Sequence, residues 1–118
     1  MKYSKIKINT TNKKYNLLVG INLLKNFSKI LNYNSINFNK CLLVVDNKIP
    51  KIFLNNIKSS LKKKKIIYFF NSKESNKNQK NVDKIQNILL KNNFNRNDCL
   101  ISIGGGITGD VSGFVAST

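Results

Sequence analysis

Cys99-Leu100-Ile101-Ser102-Ile103-Gly104-Gly105-Gly106-Ile107-Thr108-Gly109-Asp110 is the stretch that decides the fold. Cys99 to Ile103 is an apolar run of strand length. Gly104, Gly106 and Gly109 follow at G-x-G-x-x-G spacing, and Ile107 to Thr118 opens a helical pattern. A strand, a glycine turn and a helix in that order form a phosphate cradle. Without side chains the backbone approaches a pyrophosphate closely, and the unpaired N–H groups and dipole of the helix N-terminus favour the anion. Asp110, expected in the first helical turn, suits that dipole and offers an acceptor to a ribose hydroxyl. The competing reading is a turn that only lets helix and strand pack closely. Three consecutive glycines are costly to order, which favours a ligand.

Outward from this turn, strands and helices alternate. Lys2–Asn9 has a period of two, and Tyr15–Val19 answers it after a polar turn, so the pair reads as a hairpin. Asn22 is expected to cap a helix whose apolar face is Leu23, Leu24, Phe27, Ile30 and Leu31. Cys41–Val45 and Ile66–Phe70 read as buried strands of a parallel sheet. Between them, Pro50 fits a first helical turn, with Ile49, Ile52, Phe53, Ile57 and Leu61 as the apolar stripe. Val82, Ile85, Ile88 and Leu89 mark a helix ending near Asn92 or Asn93. The expected fold is α/β: a Rossmann-like parallel sheet with helices on both faces and an N-terminal β-hairpin, in one domain over 1–118. Thr118 falls inside a helical pattern with no stop signal, so the domain reads as incomplete. The glycines follow a late strand, whereas a standard dinucleotide fold has them after its first.

The net charge is +16, yet Arg96 is the only arginine and the lysines scatter over every element. Phosphate forks favour arginine, and single-strand binding needs exposed aromatics among the charges. Solvated surface lysine is therefore preferred over nucleic-acid binding, the Lys62–Lys65 run included. No segment approaches the roughly 20 apolar residues of a membrane helix. The N-terminus lacks the apolar region of a signal peptide, which points to the cytoplasm. Cys41 and Cys99 each open an apolar run and read as small hydrophobes, with no CxxC pair.

Two further positions lie at strand ends, where open α/β sheets bind ligands. Asp46 closes the Cys41–Val45 strand and suits an adenosine ribose; equally, it could cap the helix holding Pro50. The loop Ser72-Lys73-Glu74-Ser75-Asn76-Lys77 follows Phe70, and its Glu74 reads by composition as a solvated charge. The sequence has no histidine, and its five carboxylates show no metal-ligand spacing. On this reading the chain has a phosphate cradle and no catalytic set.

With these residues assembled, Gly104-Gly105-Gly106-Ile107-Thr108-Gly109-Asp110-Val111-Ser112-Gly113-Phe114-Val115-Ala116-Ser117-Thr118 resembles the GGG-V-x-GD-x-x-GF-x-A-S/A-T signature of 3-dehydroquinate synthases. Arg96-Asn97-Asp98 resembles the R-x-D before that strand, and Tyr15–Gly20 with Leu23-Leu24 an early Y-x-I-x-I-G…LL segment. Leu43–Asp46 with Ile49-Pro50, and Lys73-Glu74-Ser75-Asn76-Lys77 against G-E-x-x-K, complete a match along the whole chain. The resemblance implies a phosphate-eliminating carbon–oxygen lyase of aromatic amino acid biosynthesis. It takes a seven-carbon sugar phosphate to 3-dehydroquinate, uses NAD and a divalent metal (zinc or cobalt), and is homodimeric.

Carried over by residue, the resemblance implies that Asp46 holds the adenosine ribose and that Glu74 and Lys77 contact the nucleotide. It places Gly105, Gly106 and the Ile107–Thr108 backbone at the pyrophosphate and Asp110 at the nicotinamide-side ribose, with Gly109 among the cofactor-binding residues. Lys73 departs from the family's glycine, and Lys48 from a frequent asparagine. The metal ligands and the substrate lysines and arginine belong to a helical second domain that residues 1–118 do not contain, so this stretch alone is expected to be inactive. Glycerol and iron-dependent alcohol dehydrogenases share the architecture, but their glycine loop runs into an alanine-lysine helix where this chain has Gly113-Phe114. Valiolone-type cyclases, a basic nucleic-acid-binding module and a non-catalytic remnant also compete with the synthase.

Overall fold

A computed structural model describes residues 3–117; Lys2 of the first expected strand and Thr118 of the glycine signature lie outside it. Strands β1 (Tyr3–Asn9) and β2 (Lys14–Gly20) pair antiparallel, from Tyr3 opposite Gly20 to Asn9 opposite Lys14. Thr10 closes their loop, its N–H donating to the Lys13 carbonyl at 2.8 Å and its Oγ1 accepting from the Lys13 N–H at 2.9 Å. Cross-strand partners share a face, so Ile6, Ile8, Tyr15, Leu17 and Val19 form one apolar side of the ribbon. Most of that side is open to solvent, with Ile6 50% and Val19 58% exposed.

Asn22 does not cap a helix. It sits at φ 59°, in the left-handed region asparagine tolerates, and turns the chain out of β2. A residue there cannot adopt the extended backbone a cap needs. A 3-10 turn (Leu24–Asn26) leads instead into helix α1 (Phe27–Tyr33).

The remaining elements are β3 (Lys40–Asp46), α2 (Lys51–Ser60), β4 (Lys64–Phe70), α3 (Gln79–Lys91), β5 (Cys99–Ile103) and α4 (Gly106–Ser117). The three strands form a parallel sheet in the order β4-β3-β5. Alternation along β3 sorts its side chains between two cores. Cys41, Leu43 and Val45 pack with Leu54, Ile57 and Leu61 of the α2 segment and with Leu31 of α1. Leu42 and Val44 pack with Val82 and Ile85 of α3 and Val111 and Val115 of α4. Helices therefore cover both faces, as the parallel-sheet reading requires.

Among the described strands, β3 in the middle is buried on both faces; β4 lies at the edge of this sheet, starts within the lysine run at Lys64, and leaves Phe69 58% exposed. Of the expected α2 stripe, Ile57 and Leu61 face the core, and Leu54 joins them in place of Ile52 and Phe53, which are 60% and 44% exposed. Pro50 stands one residue before the helix with an extended backbone (φ −55°, ψ 135°), so its fixed φ starts the turn without joining it. Cys41 and Cys99 are in-register neighbours on β3 and β5. Burial, reinforced by the neighbouring Cys99, pushes the Cys41 thiol up to about 11.

Candidate functional site

Parallel strands end on one side of the sheet, and the three loops that leave β3, β4 and β5 carry the candidate site. Asp46, paired with Phe70 at the ends of β3 and β4, is 9% exposed. Its Oδ1 accepts the Lys48 N–H at 2.9 Å and its Oδ2 accepts the Ser72 hydroxyl at 2.8 Å. Those two donors, the Lys48 amide first, hold the Asp46 carboxyl below its ordinary value. The helix-cap alternative does not hold, because Asp46 closes the turn ahead of α2 and Pro50 occupies the cap position. Sequence reasoning does not single out Ser72. A serine in a polar loop has no periodicity, and only the fold shows that β4 ends beside β3.

Gly104 reaches Asp46 from the third loop. A methyl group there would lie 2.8 Å from Asp46 Cβ and 3.0 Å from Thr108 Oγ1, and the backbone is at φ +154°. Glycine is required here by contact and conformation together. Gly105, Gly106 and Gly109 differ: a Cβ on any of them would meet nothing within 4 Å. They face open space where α4 begins, and the first N–H groups of that helix have no partner within it. Ile107 packs into the core, and Thr108 is fully buried. Their backbone is therefore what they can offer a ligand. Thr108 Oγ1 and Ser112 Oγ find no hydrogen-bond partner among the described residues.

Asp110 falls beyond the first turn of α4, which holds no acid, so the expected dipole interaction is replaced by an ion pair. Lys77 Nζ lies 2.9 Å from Asp110 Oδ2, linking the β4 loop to α4. This contact first, and the Glu74 charge after it, hold the Lys77 amine above its ordinary value. Glu74 begins an exposed 3-10 turn whose carbonyl accepts the Lys77 N–H at 3.1 Å. Beside the pair, Lys77, Asp110, Val82, Val111 and Phe114 line a cleft of about 260 Å³.

The structure thus joins Asp46, Ser72 and Gly104 in one group and Lys77 with Asp110 in another, with the open glycines at the start of α4. An oriented carboxylate, a basic side chain and an open helix N-terminus along one edge suit an extended, diol-bearing pyrophosphate. Metal chemistry finds no such fit: among the described residues no three His, Cys, Asp or Glu side chains could hold an ion. No helix among them is long and apolar enough to cross a membrane.

The family profile described as 3-dehydroquinate synthase N-terminal matches residues 67–118. A 3-dehydroquinate synthase from Pelagibacter ubique is 56% identical over 115 residues, covering 97% of this chain and 31% of the relative. The synthase of Prochlorococcus marinus subsp. pastoris is 34% identical over 122 residues, covering 100% and 34%. The chain thus spans about a third of the length of the curated relatives it matches. A solved structure of 2-deoxy-scyllo-inosose synthase, complexed with carbaglucose-6-phosphate, NAD+ and Co2+, superposes with a TM-score of 0.84. It covers 98% of this chain and 32% of that one at 20% identity, a likeness of fold.

Proposed function

The chain is a homologue of the amino-terminal part of 3-dehydroquinate synthases, and from that premise we propose that it is the NAD-holding part of such an enzyme. The reaction is conversion of 3-deoxy-D-arabino-heptulosonate 7-phosphate to 3-dehydroquinate and phosphate. One observation carries the reading: Asp46, its carboxylate fixed by two donors, packs its Cβ against Gly104 of the glycine turn ahead of α4.

In this proposal Asp46 accepts the adenosine ribose hydroxyls. Glu74 and Lys77 flank the nucleotide, and Lys77 supplies a cation to it. Gly105, Gly106 and Gly109 leave room for the pyrophosphate, with backbone N–H groups at Ile107 and Thr108. Asp110 accepts from the second ribose. NAD, when bound, supplies a hydride acceptor that returns the hydride later in the cycle. The residues here bind and orient it. The described residues supply no donor set for a metal. The proposal extends to a cytoplasmic homodimer, for which the open apolar side of the hairpin offers a surface.

The test is calorimetric titration of residues 1–118 with NAD, beside an assay of phosphate release from the sugar phosphate with NAD and zinc. Saturable NAD binding without turnover is the expected result. Absence of NAD binding overturns the cofactor role, and turnover overturns the division of labour.

A further inference from the structure

We infer that Ser72 is a positioning residue for the dinucleotide: its hydroxyl aims the Asp46 carboxylate and thereby sets the preference for NAD over its 2′-phosphorylated form. This rests on the proposed role of Asp46. The Ser72 hydroxyl donates to Asp46 Oδ2 at 2.8 Å, 26 positions along the chain and from the neighbouring strand's loop. The Lys48 amide fixes the other oxygen. A carboxylate has about four lone-pair sites, so two donors orient it and leave acceptors for both hydroxyls of a ribose. The same fixed negative charge opposes a phosphate at the 2′ position.

The loop does not depend on this bond for its own shape. Asn71 O accepts from Lys73 N and Asn76 Nδ2, Lys73 O from Asn76 N, and Asn76 O from Asn81 Nδ2. Asn78 caps α3, its Oδ1 accepting from Asn81 N at 3.0 Å. With the loop held by these, the Ser72 hydroxyl acts on Asp46. Without it, the carboxylate keeps one donor and can turn about its side-chain bonds. Affinity for NAD then falls, and the barrier to a 2′-phosphate falls with it.

The experiment titrates residues 1–118, wild type and the variants Ser72→Ala and Ser72→Thr, with NAD and with NADP, and follows the Asp46 carboxyl by NMR against pH without nucleotide. Ser72→Ala is expected to weaken NAD roughly fivefold to tenfold, the scale of one ordinary hydrogen bond, because the carboxylate itself and its second donor remain. NADP affinity holds, so the ratio shrinks. Ser72→Thr restores both. The Asp46 titration moves up in Ser72→Ala, and NAD binding in that variant fails at a higher pH than in wild type. Equal loss for both dinucleotides, or an unmoved Asp46 titration, overturns the assignment. Wild type that binds neither dinucleotide overturns the reading of the site itself, and the nucleotide-free titration tells the two failures apart.

Discussion

Gly104 and Asp46 stand so close that a methyl group on the glycine would come within 2.8 Å of the aspartate's Cβ. The neighbour is the root of a side chain at the end of a central strand, so it cannot swing aside as a lysine tip would. Gly104→Ala therefore forces either the β5 loop or the end of β3 to move, and it adds strain at φ +154°. Unfolding in urea is expected to show a loss of about 2–4 kcal/mol. An unchanged midpoint would show that the two loops are not in contact.

Asp46 makes stability depend on pH in a definite direction. Its carboxyl is held below the ordinary 3.8, so its contribution is present above that value and is lost as pH falls through the depressed one. Asp46→Asn keeps the shape, loses the charge, and is expected to cost about 1–2 kcal/mol near neutral pH. The difference from wild type should close in acid. A difference that persists at low pH would assign the loss to something other than the charge.

Thr108 offers a change that stabilises. Its hydroxyl is fully buried and has no partner among the described residues. Valine has nearly the same shape without the polar atom. Thr108→Val is expected to raise stability by about 1 kcal/mol in urea titration. A loss of stability would reveal an ordered water or other partner at Oγ1.

Lys77 and Asp110 separate binding from folding. Their ion pair is exposed, with side chains 45% and 59% accessible, so salt and water screen it. Lys77→Met is expected to leave the melting temperature unchanged while weakening NAD about tenfold or less. In wild type the pair persists until pH rises through the Lys77 value, which is raised above the ordinary 10.5. Equal loss of stability and affinity would return Lys77 to a structural role.

Much of this arrangement is legible in the sequence because buried strands and helical stripes have periods. Cys41–Val45 reads as a strand buried on both faces, and so it is. The α2 stripe keeps Ile57 and Leu61 inward but exchanges Ile52 and Phe53 for Leu54, because all three are apolar and composition alone does not say which flank meets the sheet. Asp46 and the glycines are visible from position and spacing. The Ser72 bond and the Gly104 contact are not, since both join loops far apart in the chain. Asp110 lies farther from the dipole than its spacing suggests, because α4 begins at Gly106 and its first turn ends sooner.

The in-register pair Cys41 and Cys99 has a practical consequence. A thiol held at about 11 and fully enclosed reacts with an alkylating reagent only when the strands around it part. Cys99, partly exposed on the edge strand β5, is reached sooner. The molecule thus carries two built-in clocks, one for fraying of its margin and one for opening of its centre, each readable as the mass that alkylation adds.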